Sequence, residues 1–172
     1  KRMSITLTIA DLYDDIRRSL KALNNDSSAV RQSRRTLEAE LAKGEAIYGV
    51  NTGFGKLANK RIDNEQLSQL QRNLLISHAV GVGSSVPKRI TEIMLALKVH
   101  SLGLGYSGVS ETTFDRLLYL ASNRLTPVVP SRGSVGASGD LAPLAHMALP
   151  LIGQGYFWGP DDRPRPAAEV LA

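Results

Sequence analysis

Gly133-Ser134-Val135-Gly136-Ala137-Ser138-Gly139-Asp140-Leu141-Ala142-Pro143-Leu144-Ala145-His146 is the stretch on which the reading of this chain turns. Its first half carries glycines at 133, 136 and 139, which predicts a loop, because closely spaced glycines allow backbone states closed to other residues. Its second half reads as a helix that Asp140 can cap, with Pro143 tolerated in the first turn. Pro150 has no amide hydrogen, so this helix should kink or stop near it.

A glycine loop entering a helix N-terminus raises the possibility of a phosphate cradle. The Gly-Lys-Ser/Thr ending of a P-loop is missing, however, and no convincing buried strand leads in. The residue identities open a different chemistry. The Ser138 hydroxyl can leave as water, giving a dehydroalanine-type methylidene. The Gly139 nitrogen carries no side chain beside it and can approach the Ala137 carbonyl closely. Ring closure with loss of a second water would give a methylidene-imidazolone, an electrophile that no unmodified side chain offers. An amide nitrogen is a poor nucleophile because its lone pair is delocalised, so the fold must hold the loop compressed and strained. Glycines at 133, 136 and 139 permit such compression.

Outward from this loop the chain reads as mostly helical. Thr8 and Asp11 resemble a capping box ahead of a helix with Ile9, Leu12, Tyr13, Ile16 and Leu20 on one face. The alternation at Ile5, Leu7 and Ile9 suggests a short strand or extended arm before it. Asn24-Asn25-Asp26 breaks the pattern, Ser27 or Ser28 caps a second helix with Val30 and Leu37, and Gly44 ends it. A second glycine-rich loop follows, Tyr48-Gly49-Val50-Asn51-Thr52-Gly53-Phe54-Gly55. Asp63 and Gln66 start a third helix with Leu67, Leu70 and Leu74, closed by Gly81 and Gly83. Pro87 opens a fourth with Ile90, Ile93, Met94 and Leu97, stopped by Gly103 and Gly105. Ser110 caps a fifth with Phe114, Leu117 and Leu118 inward. Pro127 and Pro130 keep residues 125–130 extended. Tyr156-Phe157-Trp158 reads as a strand into a turn at 159–162, and a helix begins near Ala167.

With 172 residues and 42% hydrophobic residues the chain supports one packed domain, and 5% aromatics make its core aliphatic. The absence of cysteine excludes disulfides, Cys-ligated zinc and thiol nucleophiles, and it suits a cytoplasmic protein. The formal net charge of +5 is dispersed, with no interleaved aromatics to stack bases, so no nucleic-acid partner is expected. No stretch is long enough for a membrane span, and Asp11 and Asp14 interrupt the start before a signal-peptide core develops.

The run from Gly133 to His146 resembles the signature of the histidine and aromatic amino-acid ammonia-lyases. The likeness extends through the loop at Tyr48, Gln71-Arg72-Asn73-Leu74 and Ser77-His78 to Gly153. It implies a mainly α fold, the helical N-terminal part of the ammonia-lyase fold, with short strands and two glycine-rich active-site loops. Residues 1–172 would then be a single N-terminal domain or a fragment of a longer chain, carrying the cofactor-forming loop at 133–140. The resemblance assigns Ala137, Ser138 and Gly139 to the methylidene-imidazolone, and Tyr48 to the base that removes the substrate β-proton. It gives His78 to contact with the substrate side chain, and Gly55 and Leu141 to the pocket wall. His100 and His146 read as structural, without the companions of a metal site, and no metal is expected. Lys98 departs from the arginine common at its position in the histidine enzymes.

The activity so implied is non-oxidative elimination of ammonia from L-histidine to give trans-urocanate, in a homotetramer of the full-length protein, with this piece inactive alone. Ala142-Pro143-Leu144-Ala145-His146-Met147 and Ser77-His78 together favour histidine over phenylalanine. Tyrosine or phenylalanine ammonia-lyases and aminomutases stay open, as does a truncated, non-catalytic scaffold that never matures the loop.

Overall fold

The computed structural model describes residues 5–53, Ile62 and 64–172, with the side chains of Asn64, Glu65 and Ser138 outside the description. Among the described residues the architecture is mainly helical, as expected: seven α-helices and four short strands in two small antiparallel pairs.

Helix α1 (Leu12–Asn25) buries Ile16 and Leu23. Thr8 Oγ1 accepts the Asp11 amide at 3.2 Å, as the capping pattern predicts. The carboxylate that returns to the Thr8 amide is Asp15, at 2.8 Å, rather than Asp11. Residues 5–8 form an irregular arm, not a strand, and Ile9 is 97% exposed, so it lies off the apolar face assigned to it. Helix α2 (Ser28–Ala42) takes its cap one residue earlier than expected: Asp26 Oδ1 accepts the Ser28 amide at 2.8 Å, while Ser27 makes no side-chain cap. Val30 is its one buried residue, and Gly44 follows the helix at φ 82°, a left-handed state suited to glycine.

Helix α3 (Asn64–His78) half-buries Leu67, Leu70 and Leu74. Asp63, the expected start signal, lies outside the described residues. Gly81 and Gly83 do not close this helix. They flank and enter strand β1 (Val82–Ser85), which pairs antiparallel with β2 (Pro130–Arg132) in the register Val82↔Arg132 and Ser85↔Pro130.

Helix α4 (Lys88–Gly103) presents a different face to the core from the one predicted. Thr91, Leu95, Ala96, Val99 and Gly103 are buried, whereas Ile90 and Leu97 are exposed. Apolar residues surround this helix on all sides, so periodicity alone does not select its inner face. Helix α5 (Glu111–Ser122) matches expectation: Ser110 Oγ accepts the Thr113 amide at 3.3 Å, and Phe114, Leu117 and Leu118 are buried. The core gathers Leu23, Val30, Leu95, Val99, Phe114 and Phe157, with α4 packed on α1 and α5. Burial of each such side chain contributes about 1.5–3 kcal/mol.

Helix α6 (Leu141–Ala148) passes into a 3-10 turn, Leu149–Ile152, at Pro150, where the missing amide predicts a break. Strand β3 (Tyr156–Trp158) falls where expected and pairs with β4 (Pro164–Pro166) in a hairpin, before α7 (Ala167–Val170). Packing of α6 against α3 brings the two sequence motifs of interest to one side of the fold.

Candidate active site

Ala137 and Ser138 lie in a single 3-10 turn, Gly136–Ser138, closed by the Gly139 amide donating to the Gly136 carbonyl at 3.3 Å. Gly139 follows at φ 96° and Asp140 at φ 55°, two left-handed residues in succession. For Asp140 that state costs on the order of 1 kcal/mol, and it turns the chain sharply into α6. The Asp140 carboxylate does not cap α6, contrary to the sequence reading; it accepts instead a short hydrogen bond from Ser134 Oγ. The two ends of the Ala137 turn are thereby tied to each other.

The compression expected of this loop does not come from tight surroundings. Gly133 to Ala137, Gly139 and Asp140 are exposed, and a Cβ built on Gly136 or Gly139 would meet nothing within 4 Å. The strain lies in the backbone of Asp140, whose φ of 55° is rare for a residue with a side chain. At Gly139 a φ of 96° excludes an L side chain whatever the free space. The methylidene-imidazolone fits this segment: every ring atom comes from three contiguous residues, the closing residue is a glycine in the left-handed state, and open space surrounds it.

The foot of the loop is packed closely. A Cβ on Gly133 (φ 135°) would fall 2.9 Å from Gly81 Cα and 3.3 Å from Ala142 Cβ. One on Gly81 would fall 3.0 Å from His146 Nε2 and 3.1 Å from Pro130 Cβ. The Gly81 amide donates to His146 Nε2 at 2.9 Å, which joins the end of the His78 segment to α6. His146 is half-buried, and burial pushes its pKa below the ordinary value.

His78 is the last residue of α3 and half-buried. Its Nδ1 lies 2.8 Å from the Leu74 carbonyl, and a carbonyl only accepts, so Nδ1 carries the proton. In the neutral ring, Nε2 is then the acceptor. Leu141, at the first position of α6, is 43% exposed beside the Ala137 turn.

Tyr48 stands on a separately built turn. Asn51, 4% exposed, shapes it: Asn51 Oδ1 accepts the Ile47 amide at 2.7 Å and Nδ2 donates to the Glu45 carbonyl at 2.9 Å. Thr52 Oγ1 accepts the Gly49 amide at 3.3 Å, and Gly49 adopts φ 72°. The Tyr48 side chain is 64% exposed. Gly55 lies outside the described residues. The structure therefore gathers His78, Leu141 and the Ala137 turn through the Gly81–Gly133–His146 contact, while Tyr48 is held by its own loop.

Sequence reasoning passed over Asn51 and the partner of His146. Asn51 was visible as an amide side chain between glycines, a residue type that bonds local backbone. The Gly81 contact had no local signal, since its partners are 65 positions apart. His100, read as structural, has Nδ1 at 2.8 Å from Ser19 Oγ, linking α4 to α1. Among the described residues no group of three or more His, Asp or Glu side chains is placed to hold a metal.

The helical fold and this loop define an aromatic amino acid lyase: the sequence profile of that family matches residues 7–172, and the chain belongs to it. Over 171 residues it is 49% identical to a histidine ammonia-lyase of Geobacillus thermodenitrificans, covering 97% of this chain and 33% of that protein. Over 139 residues it is 53% identical to a histidine ammonia-lyase of Deinococcus radiodurans, covering 80% of this chain and 26% of that one. A tyrosine aminomutase of Streptomyces globisporus superimposes with a TM-score of 0.79 at 30% identity, over 99% of this chain and 31% of the other. The chain spans at most a third of the length of these relatives.

Proposed function

We propose that the complete protein containing this chain is an ammonia-lyase that converts L-histidine to trans-urocanate and ammonia. The observation that carries the reading is the Ala137-Ser138-Gly139 turn, left-handed at Gly139 and Asp140 and docked at its foot against Gly81, three residues after His78. Identity of 49% and 53% to histidine ammonia-lyases supports histidine as substrate.

When formed, the methylidene-imidazolone supplies an electrophile that makes loss of the substrate amine feasible. In the proposed reaction the β C–H bond breaks, the C–N bond breaks, a trans double bond forms and ammonia departs. Tyr48 takes the β-proton. A phenol has an ordinary pKa of about 10, so this role requires a complete site that stabilises phenolate. With Nδ1 donating to the Leu74 carbonyl, His78 has Nε2 as its ring acceptor, which suits the ring N–H of a histidine side chain. Leu141 and Gly55 wall the pocket. The first amides of α6, which the Asp140 carboxylate leaves uncapped, face developing negative charge.

We further read residues 1–172 as the N-terminal part of a cytoplasmic, homotetrameric enzyme. Exposed apolar side chains around the candidate site support coverage by further protein: Val80 at 66%, Val82 at 63% and Val135 at 60%. Among the described residues no helix is long and apolar enough to cross a membrane.

A second reading, a tyrosine lyase or aminomutase, draws on the same His78 Nε2, which would equally accept a phenol O–H. Turnover by the complete protein separates the two. Histidine should yield urocanate, with kcat/KM above that for tyrosine by about a hundredfold or more. Cinnamate-type or β-amino acid products from tyrosine, with no urocanate from histidine, would establish the second reading. Absence of turnover for histidine, tyrosine and phenylalanine alike would leave a scaffold that does not mature its loop.

A further inference from the structure

We propose that His146 is a positioning residue: through Gly81 it sets where His78 stands relative to the Ala137-Ser138-Gly139 turn. This rests on the functional reading above and deepens it. His146 Nε2 accepts the Gly81 amide at 2.9 Å, across 65 positions of sequence. Gly81 Cα in turn packs on Gly133, at the foot of the turn, so closely that a Cβ on Gly133 would fall 2.9 Å away. The same Cβ would fall 3.3 Å from Ala142 Cβ, on α6, the helix that also carries His146. The imidazole, Gly81, Gly133 and α6 therefore form a closed circuit of contacts.

His78 sits three residues before Gly81, at the end of α3, and its ring is aimed by its own bond to the Leu74 carbonyl. Whatever fixes Gly81 fixes the end of that helix. On the other side of Gly81, Val82 enters β1 and pairs with Arg132, directly before Gly133. The segment is thus clamped from both directions against the loop. Only a neutral imidazole can close the clamp, because an N–H donor needs a lone pair, and burial keeps the His146 ring from protonating readily. Nε2 being the acceptor, Nδ1 carries the proton.

A side chain that merely filled space would affect stability. One that sets the distance between the substrate-binding imidazole and the reacting loop affects substrate binding specifically. The test uses the complete protein with His146→Leu, His146→Gln and Gly81→Ala beside the parent. His146→Leu removes the acceptor and should raise the KM for histidine about tenfold, the worth of one lost hydrogen bond, with a smaller change in kcat. His146→Gln, whose amide oxygen can accept the Gly81 N–H, should recover most of that loss. Gly81→Ala, which forces the His146 ring and Pro130 away by a few tenths of an ångström, should raise KM in the same direction with the imidazole intact. If His146→Leu does not fold, Gly81→Ala and His146→Gln carry the comparison.

An unchanged KM in His146→Leu or in Gly81→Ala, with parental turnover normal, overturns the positioning role alone. So does a glutamine variant as impaired in KM as the leucine one. A parent that neither loses two waters nor turns over an amino acid overturns the functional reading, and the positioning role with it.

Discussion

Gly139 at φ 96° is followed by Asp140 at φ 55°, a strained left-handed residue just after the serine that would dehydrate. Glycine accepts the first of these angles without steric cost; aspartate tolerates the second better than most residues and is held there by Ser134. The residue types of the loop were legible in sequence because the chemistry depends on identity: an alanine carbonyl, a serine hydroxyl, a glycine nitrogen. Where the side chains turn was not. Asp140 reads as a helix cap and bonds Ser134 instead, since a left-handed backbone carries its carboxylate away from the α6 amides. In sequence only the family resemblance separates His78, as a substrate contact, from His146, as structural; their partners, Leu74 and Gly81, add that one ring offers an acceptor and the other already uses it. Tyr48 belongs to the same scale. If it is the base, Tyr48→Phe in the complete protein should leave loop maturation intact and lower kcat by about 10²–10⁴-fold, read from steady-state urocanate formation. A phenylalanine variant with parental kcat would remove Tyr48 from the chemistry.

Elements whose limits are written in local chemistry were readable. Helix α5 begins at the Ser110 cap and α6 ends at Pro150, each because a single residue supplies or withholds a backbone partner. Elements whose definition depends on distant pairing were not. Strand β1, Val82-Gly83-Ser84-Ser85, has no apolar alternation and exists because Pro130–Arg132 pairs with it. Helix α4 was readable as a helix but not in its rotation, for Ile90, Ile93, Leu95, Ala96, Leu97 and Val99 leave no polar face to mark the outside. Two helices also carry a pH response. Burial lowers the pKa of His100 on α4 and of His146 on α6 below the ordinary value of 6.5. The unfolded chain therefore binds more protons than the folded one once pH drops below about 6.5. Stability should be flat above that pH and fall as pH decreases from 6.5 towards the folded values. Urea midpoints of the complete protein between pH 8 and pH 5 check this, and a midpoint that held or rose on acidification would contradict it. Asp15, held low first by the Thr8 amide and then by Arg18, acts in a separate window, where stability is lost as pH falls below 3.8.

For the whole molecule, the mainly helical architecture follows from sequence and the family assignment follows from the profile match over residues 7–172. Gly133 to Ala137, Gly139 and Asp140 are exposed, as are Val80, Val82 and the Tyr48 ring. The chain spans at most a third of the length of the relatives it matches, and the proposed activity is that of the complete protein. The central claim is nonetheless covalent and local, and intact-mass measurement of the complete protein addresses it directly. The parent should weigh two waters less than its translated sequence, and Ser138→Ala should weigh what its sequence dictates and release no urocanate. A parent of full mass, or an alanine variant that still turns histidine over at the parental rate, would contradict the account.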